Sequence, residues 1–107
     1  MIPEAVYQFS EDAAFHYPKD AAATLTATPA GTTVDFSGDL GPNRITNRVL
    51  VQNVGGADIG VCLDGGDVAR GRAVVRPGED LEISIQATSI VVTGAVVAFL
   101  VTAFRRL

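Results

Sequence analysis

The sequence of 107 residues contains few of the side chains that most active sites require. It has one cysteine, Cys62, one histidine, His16, one lysine and no tryptophan. A single cysteine excludes a disulfide within the chain and a zinc site built from cysteines. A single histidine, without a serine in a nucleophile motif, gives no support to a Ser/His/Asp triad. The sequence therefore predicts a protein that is not an enzyme and that binds no cofactor or metal.

Basic residues are also scarce, with eight lysines and arginines against twelve acidic residues and a net charge of -4. This balance argues against a nucleic-acid-binding module, whose affinity comes mainly from cations on phosphates. The hydrophobic content of 48% excludes a disordered tail, and the length fits one domain. The most apolar stretch, residues 90–104, is shorter than the about 20 residues of a membrane span and is broken at Gly94. We interpret it as a buried strand and predict no membrane partner.

From residue 23 onward the pattern is typical of β-structure. Short runs that alternate with period two are separated by glycine, proline, asparagine and aspartate. Pro77 and Gly78 stand where a type II turn needs a fixed φ and a positive φ. The candidate strands are residues 24–28, 32–36, 46–54, 59–63, 71–75, 81–85, 89–93 and 95–104. We predict an all-β fold, a small β-sandwich or jelly-roll-like barrel of seven to eight strands.

Residues 1–22 differ from the rest and predict an N-terminal arm before a sandwich domain at 23–107. Ser10, followed by two acidic residues, fits the start of a short helix that runs through Tyr17 and stops at Pro18. The arm holds four of the seven aromatic residues, and these are candidates for contacting a partner: Tyr7, Phe9, Phe15 and Tyr17.

The last predicted strand is apolar on both of its faces. One face consists of Val97, Phe99, Val101 and Ala103, and the other of Val96, Ala98, Leu100, Thr102 and Phe104. Each Leu or Phe left in water would forgo about 1.5–3 kcal/mol of burial energy. The second face therefore predicts a homo-oligomer in which this face meets a neighbouring subunit. The alternative is that residues 1–22 fold over it.

Several charged clusters have both a functional and a structural interpretation. Asp58, Asp64 and Asp67 could hold a hard cation, but the spacing of a calcium loop is absent and a turn is the better interpretation. The carboxylates of Glu79, Asp80 and Glu82 follow a turn and are interpreted as solvated rather than as a glycosidase pair.

The remaining candidates are a thiol, an imidazole and a group of cations. Cys62 lies in an apolar strand and is interpreted as buried and inert, and His16 as a packing or surface residue. The cations Arg70, Arg72 and Arg76 fit either a phosphate or carboxylate site or pairing with nearby acids.

The segment from Arg48 to Gly66, followed by Val75 to Ile83, resembles small structural proteins of tailed-bacteriophage particles. The resemblance lies in a strand pair that reaches Leu63-Asp64-Gly65, then a Pro77-Gly78-Glu79 turn and another strand. It implies a virion component with no catalytic residue, which assembles as a trimer and attaches to the capsid through an extended terminus, here the arm of residues 1–22. The implied role is to bind and stabilise the capsid as a decoration, cement or head-spike protein.

The partner implied by this resemblance is the major capsid protein or another virion protein, with assembly in the host cytoplasm and final location in the particle. A tail, neck or baseplate component is the alternative. A carbohydrate-binding module is weaker, because from residue 23 onward only Phe36, Phe99 and Phe104 are aromatic and sugar sites favour aromatic platforms.

Overall fold

The computed structural model describes residues 12–62 and 72–106. Over these residues the chain forms nine strands and one short helix, α1 (Ser37–Leu40), between the third and fourth strands. The strands are β1 (Asp12–Tyr17), β2 (Leu25–Ala27), β3 (Thr32–Asp35), β4 (Arg48–Asn53), β5 (Ile59–Cys62), β6 (Arg72–Val75), β7 (Asp80–Ile83), β8 (Ser89–Gly94) and β9 (Val97–Arg106). Among the described residues, no helix is long and apolar enough to cross a lipid bilayer.

The strands form two antiparallel sheets. One has the order β1-β9-β4-β7, with β2 also pairing with β9, and the other has the order β3-β8-β5-β6. The pairs are nested along the chain, because β2 pairs with β9, β3 with β8, β4 with β7 and β5 with β6. The chain is therefore one long antiparallel ribbon rolled into two sheets, which is the wiring of a jelly roll. The predicted all-β, jelly-roll-like fold is confirmed.

The core lies between the two sheets and is built from every second residue of the strands. In β4, Val49, Val51 and Asn53 are buried while the residues between them are half-buried. Burial of each large apolar side chain contributes about 1.5–3 kcal/mol. The largest buried apolar side chains are Phe36, Phe99, Leu40, Ile59 and Ile90.

All eight predicted strands have a counterpart in the structure, although residues 63 and 71 of two of them lie outside the described part. The helix predicted through Tyr17 is wrong, because Asp12–Tyr17 is strand β1. Its residues pair with β9 from Asp12 opposite Arg106 to Tyr17 opposite Val101. This pairing satisfies backbone groups that the long β9 would otherwise leave open at a sheet edge. The predicted boundary after residue 22 stays a prediction, with described strands on both of its sides pairing with β9.

The short helix α1 stands where the sequence predicts only a loop. The side chain of Asp35 accepts a hydrogen bond from the backbone N–H of Ser37 at 2.9 Å, which supports the first turn. The N–H of Leu40 donates to the carbonyl of Phe36 at 2.9 Å. Both Phe36 and Leu40 are buried in the core, so tertiary packing stabilises a helix too short to form alone.

Candidate interaction surface

The residues of β9 alternate between the core and the outer face of its sheet. Val97, Phe99, Val101 and Ala103 are buried in the core. Ala98, Leu100 and Phe104 are half-buried on the other face, and the register places Leu50 of β4 beside them. We call Leu50, Ala98, Leu100 and Phe104 the outer patch. The described residues form only two layers, so none of the described strands packs over the outer patch.

Polar side chains border the outer patch. The guanidinium carbon of Arg48 lies 3.8 Å from the centroid of the Phe104 ring, and Arg48 Nη1 donates to Glu82 Oε1 at 2.7 Å. A hydrogen bond of 3.1 Å joins His16 Nδ1 and Thr102 Oγ1, and Thr102 is only 7% exposed. Of the predicted interface residues, Thr102 is therefore the one that β1 already covers.

The fifth predicted interface residue, Val96, lies in the connection between β8 and β9. Its side chain is 74% exposed, and its backbone φ is 60°. A β-branched residue rarely adopts a positive φ, because its Cβ substituents crowd the backbone there. Val96 thus combines backbone strain with an apolar side chain in water.

The segment that follows β1 borders the same face. Pro18, Asp20 and Ala21 form one wall of a hollow of about 220 Å³, and Gln52 and Leu100 form the opposite wall. The predicted alternative is a cover made by residues 1–22. Residues 12–17 pair with β9 in the same sheet as strand β1, and residues 1–11 lie outside the described part, so the cover stays a prediction.

Two of the four predicted arm aromatics are engaged within the fold. Phe15 and Tyr17 pack against the core, and the Arg105 guanidinium carbon lies 5.8 Å from the centroid of Phe15. The ring of Tyr17 contacts that of Phe36, with centroids 5.3 Å apart. Tyr7 and Phe9 lie outside the described residues, so the contact of the arm with a partner stays a prediction.

A polar cluster that the sequence did not indicate ties β1 to α1. Tyr17 Oη donates to Asp39 Oδ2, and Lys19 Nζ donates to Asp39 Oδ1, each at 2.5 Å. Burial, followed by the bond to Asp39, raises the pKa of Tyr17 well above its ordinary value. The hydrogen bonds from Lys19 and then Tyr17 lower the pKa of the Asp39 carboxyl.

The other candidate groups that the structure describes lie in settings typical of structural residues. Cys62 is buried in β5, as expected. Glu79 Oε1 accepts a bond of 3.2 Å from the backbone N–H of Arg76, as a turn residue does. Asp64, Asp67 and Arg70 lie outside the described residues. Within 12–62 and 72–106, no group of three or more His, Cys, Asp or Glu side chains is close enough to hold a metal ion.

The aromatic side chains after residue 23 do not form an exposed platform. Phe36 and Phe99 are fully buried, and Phe104 lies under the Arg48 guanidinium. Sugar sites need an accessible aromatic face, so none of these three side chains favours a carbohydrate-binding module.

No protein-family model and no curated protein matches the sequence. Solved structures with a similar arrangement include a chain from Bacillus endospore appendages, described as disulfide-linked pili. It is 14% identical, has a TM-score of 0.49, and the match covers 91% of this chain and 86% of that chain. The coat protein of Tobacco streak virus is 10% identical with a TM-score of 0.45, over 99% and 88% of the chains. Protein NMB1881 from Neisseria meningitidis is 11% identical with a TM-score of 0.47, over 91% and 76%.

At these identities and TM-scores, the likenesses say nothing about activity or partner. The described residues by themselves define the class: a small jelly-roll domain with a partly apolar outer sheet face and an exposed, strained valine beside it.

Proposed function

We propose that the protein is a non-enzymatic structural subunit of a bacteriophage particle that binds and stabilises the capsid as a decoration protein. In this proposal it self-associates as a homotrimer through the outer patch and Val96. The trimers then attach to the major capsid protein across the seams between its subunits. Many symmetric copies multiply a modest contact area into a large stabilisation. Assembly takes place in the host cytoplasm, and the final location is the particle.

The observation that carries the self-association is the state of Val96. A residue held in such a sparsely populated backbone region costs about 1–3 kcal/mol, and exposure returns no burial energy for the side chain. The single chain gains nothing from a valine here. A contact with another chain, which buries the side chain, accounts for it.

The outer patch supports the same interface. Leu50, Leu100 and Phe104 give it a partly apolar centre, and Arg48, Glu82 and Gln52 surround that centre with polar groups. This arrangement is typical of protein interfaces, in which an apolar core has a polar rim. A standard interface buries about 1,600 Å² in total, so the contact must extend beyond the patch to Val96 and the rim.

Light scattering after size exclusion tests the self-association. We expect a mass of three times 11.1 kDa for the full chain and a monomer for Leu100→Gln. The matched control is Val74→Gln, because Val74 is 59% exposed on β6 of the other sheet. Circular dichroism verifies that both variants fold. A wild-type monomer at all concentrations, or equal losses of mass in both variants, would contradict the proposed interface.

Quantitative mass spectrometry of purified phage particles tests the location. Many copies per particle, comparable in number to capsid subunits, are expected of a decoration protein. A few copies would instead identify the tail, neck or baseplate component that the sequence leaves as the alternative. Absence of the protein from the particles would refute the virion role itself.

A further inference from the structure

A second surface lies at the end of the sandwich away from Val96, where β9 finishes. The connection from α1 to β4 and the connection from β7 to β8 reach the same end. Together they border a hollow of about 400 Å³. It is lined chiefly by three arginines and three amide side chains: Arg44, Arg105, Arg106, Asn43, Asn47 and Gln86.

The charge of this hollow is opposite to that of the chain. The sequence carries a net charge of -4 and a pI near 4.7, yet none of the described residues that line the hollow is acidic. Three guanidinium groups around one concave surface concentrate positive potential there. This end of the molecule would attract an anionic ligand although the chain as a whole is acidic.

Arg105 is the least exposed of the three arginines, half-buried where Arg44 and Arg106 are exposed. Its Nε is buried and has no hydrogen-bond partner among the described residues. The guanidinium is positioned against the Phe15 ring, and a planar guanidinium held in place is suited to donate two parallel bonds to one carboxylate.

Ile45 indicates that the ligand is a peptide rather than a small ion. This side chain is 45% exposed and borders both this hollow and a second one of about 710 Å³, which also includes Arg44. An exposed apolar group beside cations matches a segment that carries carboxylates and an apolar side chain. We propose that this end binds an acidic segment of a partner protein, with Arg44, Arg105 and Arg106 receiving its carboxylates. The proposal does not rest on the proposed self-association: the hollow adjoins the Phe104 end of the outer patch, but no residue that lines the hollow belongs to the patch.

Fluorescence anisotropy with a labelled hexaglutamate peptide tests the site on the full chain at low ionic strength. We expect saturable binding that weakens with added salt. Arg44→Gln and Arg106→Gln should each weaken it roughly tenfold, since each removes a charge-assisted hydrogen bond. Arg105→Lys keeps the charge but removes the planar guanidinium that can donate two parallel hydrogen bonds, and it should also weaken binding roughly tenfold.

The matched control is Arg76→Gln, which makes the same change of charge beyond the opposite end of β4. We expect its affinity to stay within twofold of wild type. If Arg76→Gln lost as much affinity as the hollow variants, the proposed site would be overturned. The loss would then follow from the net charge of the chain and not from the position of the arginine. Absence of any binding at low salt would overturn it as well.

Two further measurements distinguish the proposed partner segment from other occupants of the hollow. Asp12 pairs opposite Arg106, so binding that appears only in the full-length variant E4Q/E11Q/D12N would show that the chain's own acidic residues fill the hollow, and would overturn a partner. If inorganic phosphate, at an equal concentration of anionic groups, displaced the peptide, the proposal of a peptide ligand would also be overturned. The hollow would then be a site for a small anion. Light scattering on Arg44→Gln and Arg106→Gln is expected to give the wild-type mass, so this proposal and the self-association can fail separately.

Discussion

Arg48 and Phe104 lie directly opposite each other on the β4–β9 pair, with the guanidinium carbon 3.8 Å from the ring centroid. The same guanidinium donates to Glu82 of β7, so one side chain connects three neighbouring strands on the outer face. Arg48 therefore both shields an apolar ring and links β7 to the centre of its sheet.

Replacing Arg48 with glutamine is expected to destabilise the folded chain by about 1 kcal/mol. The loss combines a cation–π contact with an exposed ion pair, each of which contributes up to about 1 kcal/mol. Glu82→Gln removes only the ion pair and should cost less. Urea unfolding of the two variants measures the difference, and equal losses would show that the contact with Phe104 contributes nothing.

Tyr17 makes the stability dependent on alkaline pH. Because its pKa in the folded chain is raised above its ordinary value of 10.0, the folded state holds a proton that the unfolded state releases. The stabilisation is fully present below pH 10 and is lost as the pH rises above it. We expect the urea midpoint of the wild type to fall between pH 9 and pH 11 more steeply than that of Tyr17→Phe.

Tyr17→Phe keeps the ring against Phe36 and removes only the hydroxyl that donates to Asp39. Parallel midpoint curves in the two proteins would show that the Tyr17 hydroxyl does not titrate differently on folding.

Asn53 is expected to be the most costly polar residue to replace. It is 2% exposed, and its Nδ2 donates to the carbonyls of Ala57 at 2.8 Å and Val75 at 2.9 Å. Its Oδ1 accepts from the backbone N–H of Gly55 at 3.0 Å. Asn53→Ala leaves three backbone groups without this partner and should cost about 3 kcal/mol.

The neighbouring residue provides the control for Asn53. Gln52 is half-buried on the outer face of the same strand, and Gln52→Ala should change the free energy of unfolding by about 0.5 kcal/mol or less. Urea unfolding at one protein concentration compares the two variants. A cost for Asn53→Ala no larger than that for Gln52→Ala would contradict the role assigned to the buried amide.

The alternation of side chains in several strands, together with clear turn residues between all of the strands, predicted most of the fold. Strand β1 escaped prediction because its local sequence also fits a helix start, and only the distant β9 edge decides between the two. The strands themselves do not indicate which pairs form. The nested order depends on the whole chain. In it, β2 pairs with β9, and β4 pairs with both β9 and β7.

The surfaces were predicted less completely than the fold for the same reason. The outer face of β9 is visible in the sequence because the second set of alternate residues in this strand is apolar as well. The basic hollow unites Arg44 with Arg105 and Arg106, which lie far apart in sequence and meet only because β4 and β9 pair. Nothing in the sequence indicates the positive φ of Val96, because valine is not a residue that predicts such a turn.

Val96→Asn separates the stability of the fold from the proposed self-association. Asparagine tolerates a positive φ better than a β-branched residue. At concentrations where the chain is monomeric, we therefore expect the free energy of unfolding of the variant to be about 1 kcal/mol higher than that of the wild type. The same change removes an exposed apolar side chain from the proposed interface, so the mass by light scattering at high concentration should fall towards that of a monomer. Val74→Asn, an exposed valine in a strand of the other sheet, should lose stability slightly and leave the mass unchanged. A more stable variant with an unchanged mass would confirm the strain and exclude Val96 from the interface, whereas a less stable variant would contradict the strain itself.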